Sequence, residues 1–171
     1  GNVYDADYKE QGLSTPVYKS VNIVEYVDKS GFFDAPSSVF RHHNWRGGLA
    51  EHCLGVCLTA LGKAHDIPRD SIIIAGLLHD VCKAVKLYYD ENGRIQCHKL
   101  YIKGHGYRSV KLLKLHGLKL SEDERRAIRW HMGGHHVLDK NEAEDFRIAR
   151  QSKLWKVIHE SDRWDASGKN L

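Results

Sequence analysis

The chain has 171 residues, of which 42% are hydrophobic and 28% charged, and carries a formal net charge of +4. That length can bury a real core in one domain, and the composition excludes low-complexity, collagen-like and disulfide-scaffold classes. The small positive charge permits nucleotide or nucleic-acid partners without demanding them.

Residues 1–14 are polar and irregular and read as a loose N-terminal arm, leaving residues 15–171 as a single domain. From Pro16 to Val27 the apolar positions Val17, Val21, Val24 and Val27 recur at helical steps, with Thr15 as N-cap before proline. A second helix is expected from Gly48 to Ala64 and a third from Asp70 to Lys83, the latter apolar almost all round and therefore central. Asp90-Glu91-Asn92-Gly93 between two strand-like runs predicts a hairpin. His105 to His116 reads as a fourth helix. Ser121 with Glu124 three residues later is a capping-box pattern that opens a fifth, towards His131. A last helix is expected from Ala143 to Asp165. The fold class is therefore all-α, a bundle of about six or seven helices with one small β-hairpin.

Cys53, Cys57, Cys82 and Cys97 contain no CxxC pair, which argues against a zinc ribbon. No apolar stretch approaches membrane-spanning length and nothing resembles a signal peptide. The expectation is a cytoplasmic protein with reduced thiols and no membrane partner.

The chemistry concentrates elsewhere. Twelve histidines are many for this length, and His79-Asp80 closes the apolar run that begins at Ile72. An ionised carboxylate at the end of a core segment needs a partner, and a divalent cation is the strongest one available. His52 upstream and Asp162 near the C-terminus complete an ordered set of two imidazoles and two carboxylates. That donor set suits Fe, Mn, Zn, Co or Ni with positions left open for water. On one regular helix His79 and Asp80 would point roughly 100° apart, yet both could still reach one ion. Lys83, three residues from Asp80, either aims its ammonium at a substrate phosphate or snorkels at a helix end. Arg46 and Arg108 are further phosphate-binding candidates, or simply solvated cations. Asp165 reads as a residue that steadies the last helix or a ligand histidine. His42, His43 and His98 have no assigned role.

Gly47-Gly48-Leu49-Ala50-Glu51-His52, Ala75-Gly76-Leu77-Leu78-His79-Asp80-Val81-Cys82-Lys83 and Glu160-Ser161-Asp162-Arg163-Trp164-Asp165 resemble the HD-domain metal-dependent phosphohydrolase superfamily over about residues 40–165. The resemblance implies an all-α fold in which His52, His79, Asp80 and Asp162 coordinate a divalent metal. In some HD enzymes the aspartate of the pair bridges to a second ion held by two further histidines. His105 and His131 stand where those would fall, although His135 or His136 could replace His131, or all three could be surface residues. The texture is closest to the HD region of bacterial 3′–5′ exoribonucleases. The stretch ahead of that region is too short here for the oligonucleotide-binding domain that usually precedes it.

The resemblance thus implies a metal-dependent phosphoric ester hydrolase, monoesterase or diesterase, that uses a metal-activated hydroxide. Asp80 and Lys83 are its expected catalytic residues. Its expected substrate is a small phosphorylated molecule, a nucleotide or a short stretch of RNA or DNA. Rival readings are a non-catalytic nucleotide-binding regulator, a di-iron oxygenase and a closed structural metal site.

Overall fold

The computed structural model describes residues 22–97 and 104–168. Thr15, the arm at residues 1–14 and His98 lie outside them. Within them the order is α1 (Ile23–Lys29), α2 (Gly48–Lys63), α3 (Arg69–Leu78), a single turn α4 (Lys83–Lys86), β1 (Leu87–Tyr89), β2 (Ile95–Cys97), α5 (Gly104–Leu115), α6 (Glu122–Arg129), α7 (Lys140–Ala149) and α8 (Lys153–Ala166). The all-α class holds, with one two-stranded antiparallel hairpin in which Leu87 faces Cys97 and Tyr89 faces Ile95. Asp90 closes the hairpin by accepting from the amides of Asn92 and Arg94, and Gly93 takes the left-handed φ of 72° that the turn requires.

Helix α3 is the centre of the bundle. It packs against α2, α6 and α8, and none of its residues from Ser71 to Leu78 is exposed. Ile72, Ala75, Leu49, Cys53, Leu113, Ile128 and Ile158, from five helices, join one buried apolar cluster. The close approach of α2 and α3 depends on Gly76, where a Cβ would stand 2.8 Å from the Cα of Cys57. All four cysteines are free, three of them buried. No helix among the described residues is long and apolar enough to cross a membrane.

Four boundaries differ from the sequence expectation. Helix α1 begins at Ile23, because the extended Asn22 caps it by accepting from the Glu25 amide at 3.0 Å. The expected helix at Ala143–Asp165 is two helices. Asp139 caps α7 and Ser152 caps α8, each accepting the amide three residues on. Helix α6 stops at Arg129, so His131 sits in the turn beyond it. The fourth difference shapes the site. The expected helix to Lys83 ends at Leu78, and tighter bonds from Val81 N to Leu78 O and from Lys83 N to Asp80 O carry the chain round a turn. No proline or glycine forces that break. Within that turn both His79 and Asp80 are buried.

One carboxylate outside the site also organises the bundle. Asp145 of α7 accepts from Arg125, Arg126 and the indole of Trp130, joining α7 to α6. Burial opposes its charge, but those three donors hold the carboxyl well below the ordinary range.

Gly76→Ala should therefore force α2 and α3 apart. The expected cost is about 1–3 kcal/mol of stability, read from the denaturant midpoint at constant m-value. An unchanged midpoint would mean that the helix crossing is looser than described.

Candidate metal centre

Four helices and two turns bring the donors together. His52 lies on α2, His79 caps the end of α3, Asp80 follows it in the turn, and Asp162 lies on α8. The Nε2 of His52 is 3.1 Å from Asp162 Oδ1 and 3.3 Å from His79 Nε2. Asp80 Oδ2 stands 3.6 Å from the same His52 nitrogen and 3.5 Å from His79 Nε2. All four residues are buried, His52 and His79 completely.

The other oxygen of Asp80 faces a second pair. Its Oδ1 lies 3.2 Å from His105 Nε2 and 3.3 Å from His131 Nε2, which are 3.1 Å from each other. Of the histidines named for this position, His131 is the one whose ring is 3.3 Å from Asp80. His136 instead packs against Gly104, where a Cβ would come within 2.6 Å of its ring.

These residues fit a metal by their own chemistry. Asp80 Oδ1 is buried and makes no well-directed hydrogen bond despite the two imidazoles beside it. Four imidazole nitrogens and two carboxylates crowd within contact distance, far more lone pairs than the available protons can satisfy. Ligand atoms of His52, His79 and Asp162, and those of His79, Asp80 and His131, each lie within 4.8 Å of one another. A borderline divalent ion suits such nitrogen and oxygen donors.

The outer nitrogens fix the rings. Nδ1 of His79 is 2.9 Å from the carbonyl of Gly76, and Nδ1 of His131 is 2.7 Å from that of Ile128. Both nitrogens must donate there, which leaves Nε2 directed at the centre. His52 uses a carboxylate for the same purpose, with Nδ1 2.6 Å from Asp165 Oδ2. Gly55 makes room for that carboxylate, since a Cβ there would stand 2.1 Å from Asp165 Oδ1. His159 supports the turn from behind through Nδ1, 2.5 Å from the His131 carbonyl.

Electrostatics follow from the same contacts. Burial alone would lower the His52 imidazole, but its bonds to Asp162 and Asp165 win and raise it to about 9. His79, with burial dominant and no carboxylate bonded to it, falls to about 4. Burial also opposes the charges of Asp80 and Lys83. Their contact of 2.6 Å overcomes it, keeping the carboxyl ionised and the ammonium protonated.

A cavity of about 410 Å³ opens onto this centre, with Asp80, Lys83, His42 and Asp162 in its wall. Of the phosphate-binding candidates, Lys83 lines it and Arg46 and Arg108 do not. Arg46 is occupied by Asp34 at 2.6 and 2.7 Å and lies over the Tyr89 ring at 4.6 Å. Arg41 and Arg163 line it instead. Neither stood out in the sequence, because a lone arginine in a loop or on a helix has no pattern.

The chain matches the HD domain family over residues 49–166. It belongs to that family. Among curated proteins, this HD-domain chain is 25% identical over 141 residues to a dihydroneopterin 2′,3′-cyclic phosphate phosphodiesterase of Methanocaldococcus jannaschii. The match covers 78% of this chain and 52% of that protein, so the HD-domain chain spans about half its relative's length. No solved structure matches it.

Two outcomes test the geometry. Asp165→Ala, or Gly55→Ala acting through Asp165, should weaken metal affinity by about 10- to 100-fold by releasing the His52 ring. A direct metal titration reads this, and wild-type affinity in both variants would contradict it. Because His52 holds its proton up to about pH 9 without metal, uptake at neutral pH must release protons. Metal affinity should therefore rise with pH towards that value, and a pH-independent titration with no proton release would contradict it.

Proposed function

We propose that this HD-domain chain is a metal-dependent phosphohydrolase that cuts a phosphodiester in a nucleotide or short oligonucleotide. The observation that carries the reading is Asp80, whose two oxygens face two separate imidazole pairs beneath a cavity with cationic walls. His52, His79, Asp80 and Asp162 would hold one divalent ion, and Asp80, His105 and His131 a second. Such ions lower the pKa of a bound water and stabilise charge on phosphoryl oxygens. The relative's name, a cyclic phosphate phosphodiesterase, favours a diester over a monoester.

The chain's own residues supply the rest. His79 and His131 are aimed by backbone carbonyls and His52 by Asp165, so the donors need not reorganise during reaction. Lys83 is fixed against Asp80 at the cavity wall, where its ammonium meets the charge that grows on non-bridging oxygens. Water oxygen bonds to phosphorus as the bond to the leaving alcohol breaks. The proton lost by water balances the one the leaving oxygen gains. Burial of Asp80 and Asp162 keeps these charges strong by excluding bulk water.

Metal analysis of the protein should return two equivalents per chain. Asp80→Ala should lose both, and His105→Ala should lose one; full stoichiometry in Asp80→Ala would remove the bridging role. Lys83→Ala should retain its metal and lose roughly a hundredfold or more in turnover of a diester. Unchanged turnover would demote Lys83 to a structural partner of Asp80. Cleavage that persists in the manganese-loaded protein without oxygen separates hydrolysis from an iron oxygenase.

A further inference from the structure

The cavity wall carries two charges that the hydrolytic step does not use. Both carboxylates in the cavity are already matched, Asp80 by Lys83 and Asp162 by His52. Arg41 and Arg163 line the same space, exposed, and neither has an ion pair among the described residues. Their charge is surplus to the metal centre.

A third group points the same way. Ser37 lines this cavity and is 1% exposed, yet its hydroxyl has no hydrogen-bond partner among the described residues. Buried hydroxyls are normally paired, so an orphan at a cavity wall marks a place for an acceptor.

The loop that carries Ser37 and Arg41 is a built structure. The Ser37 amide donates to the His43 carbonyl at 2.9 Å. Ser38 Oγ donates to the His42 carbonyl at 2.7 Å and accepts from the Arg41 amide at 2.9 Å. His43 holds a left-handed φ of 50°, a strained conformation for a residue with a Cβ. Gly48 clamps it, since a Cβ there would stand 2.1 Å from the His43 carbonyl oxygen. A rigid loop therefore presents a guanidinium and a hydroxyl, while α8 presents the second guanidinium beside Asp162.

We propose that Ser37, Arg41 and Arg163 form a second anion subsite, which takes a phosphate next to the one being cut. Guanidinium groups bind phosphate oxygens in pairs, and a serine hydroxyl donates to a third. The inference rests on the hydrolase reading and narrows its substrate to nucleotide chains with more than one phosphate. A compound with a single phosphate would leave both arginines unmatched.

The test compares the dinucleotide ApA with its 5′-phosphorylated form pApA, which share the same internal diester. Wild type should show a KM about tenfold lower for pApA. Arg41→Ala and Arg163→Ala should each reduce that ratio, and the double variant should bring it to about one. Lysine at either position should restore part of it. Because each ratio is taken within one variant, general damage cancels. Binding of both dinucleotides to the metal-free full chain gives the same comparison without turnover. There, binding of pApA should become less salt-sensitive as each arginine is removed. Preferential pApA binding without cleavage of either dinucleotide would uphold the subsite and remove the hydrolase. Cleavage of both with equal KM, or a ratio unchanged in the double variant, would overturn the subsite and leave the hydrolase standing.

Discussion

A buried carboxylate without enough hydrogen around it is the constraint from which the rest of this fold follows. Asp80 is 1% exposed, ionised, and flanked by imidazoles on both oxygens with one ammonium alongside. Taking such a charge out of water is costly unless cations converge on it. Asp80 lies beside His79 in the turn just past the end of α3, and α2, α5 and α8 deliver their donors to that point.

The supporting parts are organised around keeping those donors still. Three backbone or carboxylate acceptors aim three imidazoles, and glycines appear where helices or carboxylates must approach closely. Gly55 admits Asp165, Gly76 admits α2, and at Gly106 a Cβ would come within 2.3 Å of the Arg129 carbonyl near His131. Gly55 lies mid-helix in α2, where glycine ordinarily weakens a helix relative to alanine, while Gly76 lies in the last turn of α3 and Gly106 in the first turn of α5. Their positions make sense only in terms of what packs against them. The helix stability that glycine forgoes is exchanged for donors held in fixed positions by their backbone and carboxylate partners.

Much of this was legible in the sequence, for physical reasons that can be stated. Helical periodicity, the Ser121–Glu124 capping box and the Asn92-Gly93 turn are local signals, and the corresponding elements formed with small boundary shifts. The order of His52, His79-Asp80 and Asp162 was readable because rare residue types punctuate apolar segments. The break after Leu78 was not, since its cause is a tertiary demand with no local mark. The split between α7 and α8 could have been seen, because Asp139 and Ser152 are ordinary N-cap residues. Arg41 and Ser37 gave no signal, and Arg46 gave a misleading one. Only the folded loop shows that the former reach the cavity while Asp34 occupies the latter.

The central claim is that the two oxygens of Asp80 serve two different positive centres. Anomalous scattering from crystals of the manganese-loaded protein addresses it directly. The account predicts two peaks that share Asp80, one among His52, His79 and Asp162, the other beside His105 and His131. A manganese peak lying away from Asp80, or no peak within this cluster at saturating metal, would contradict it.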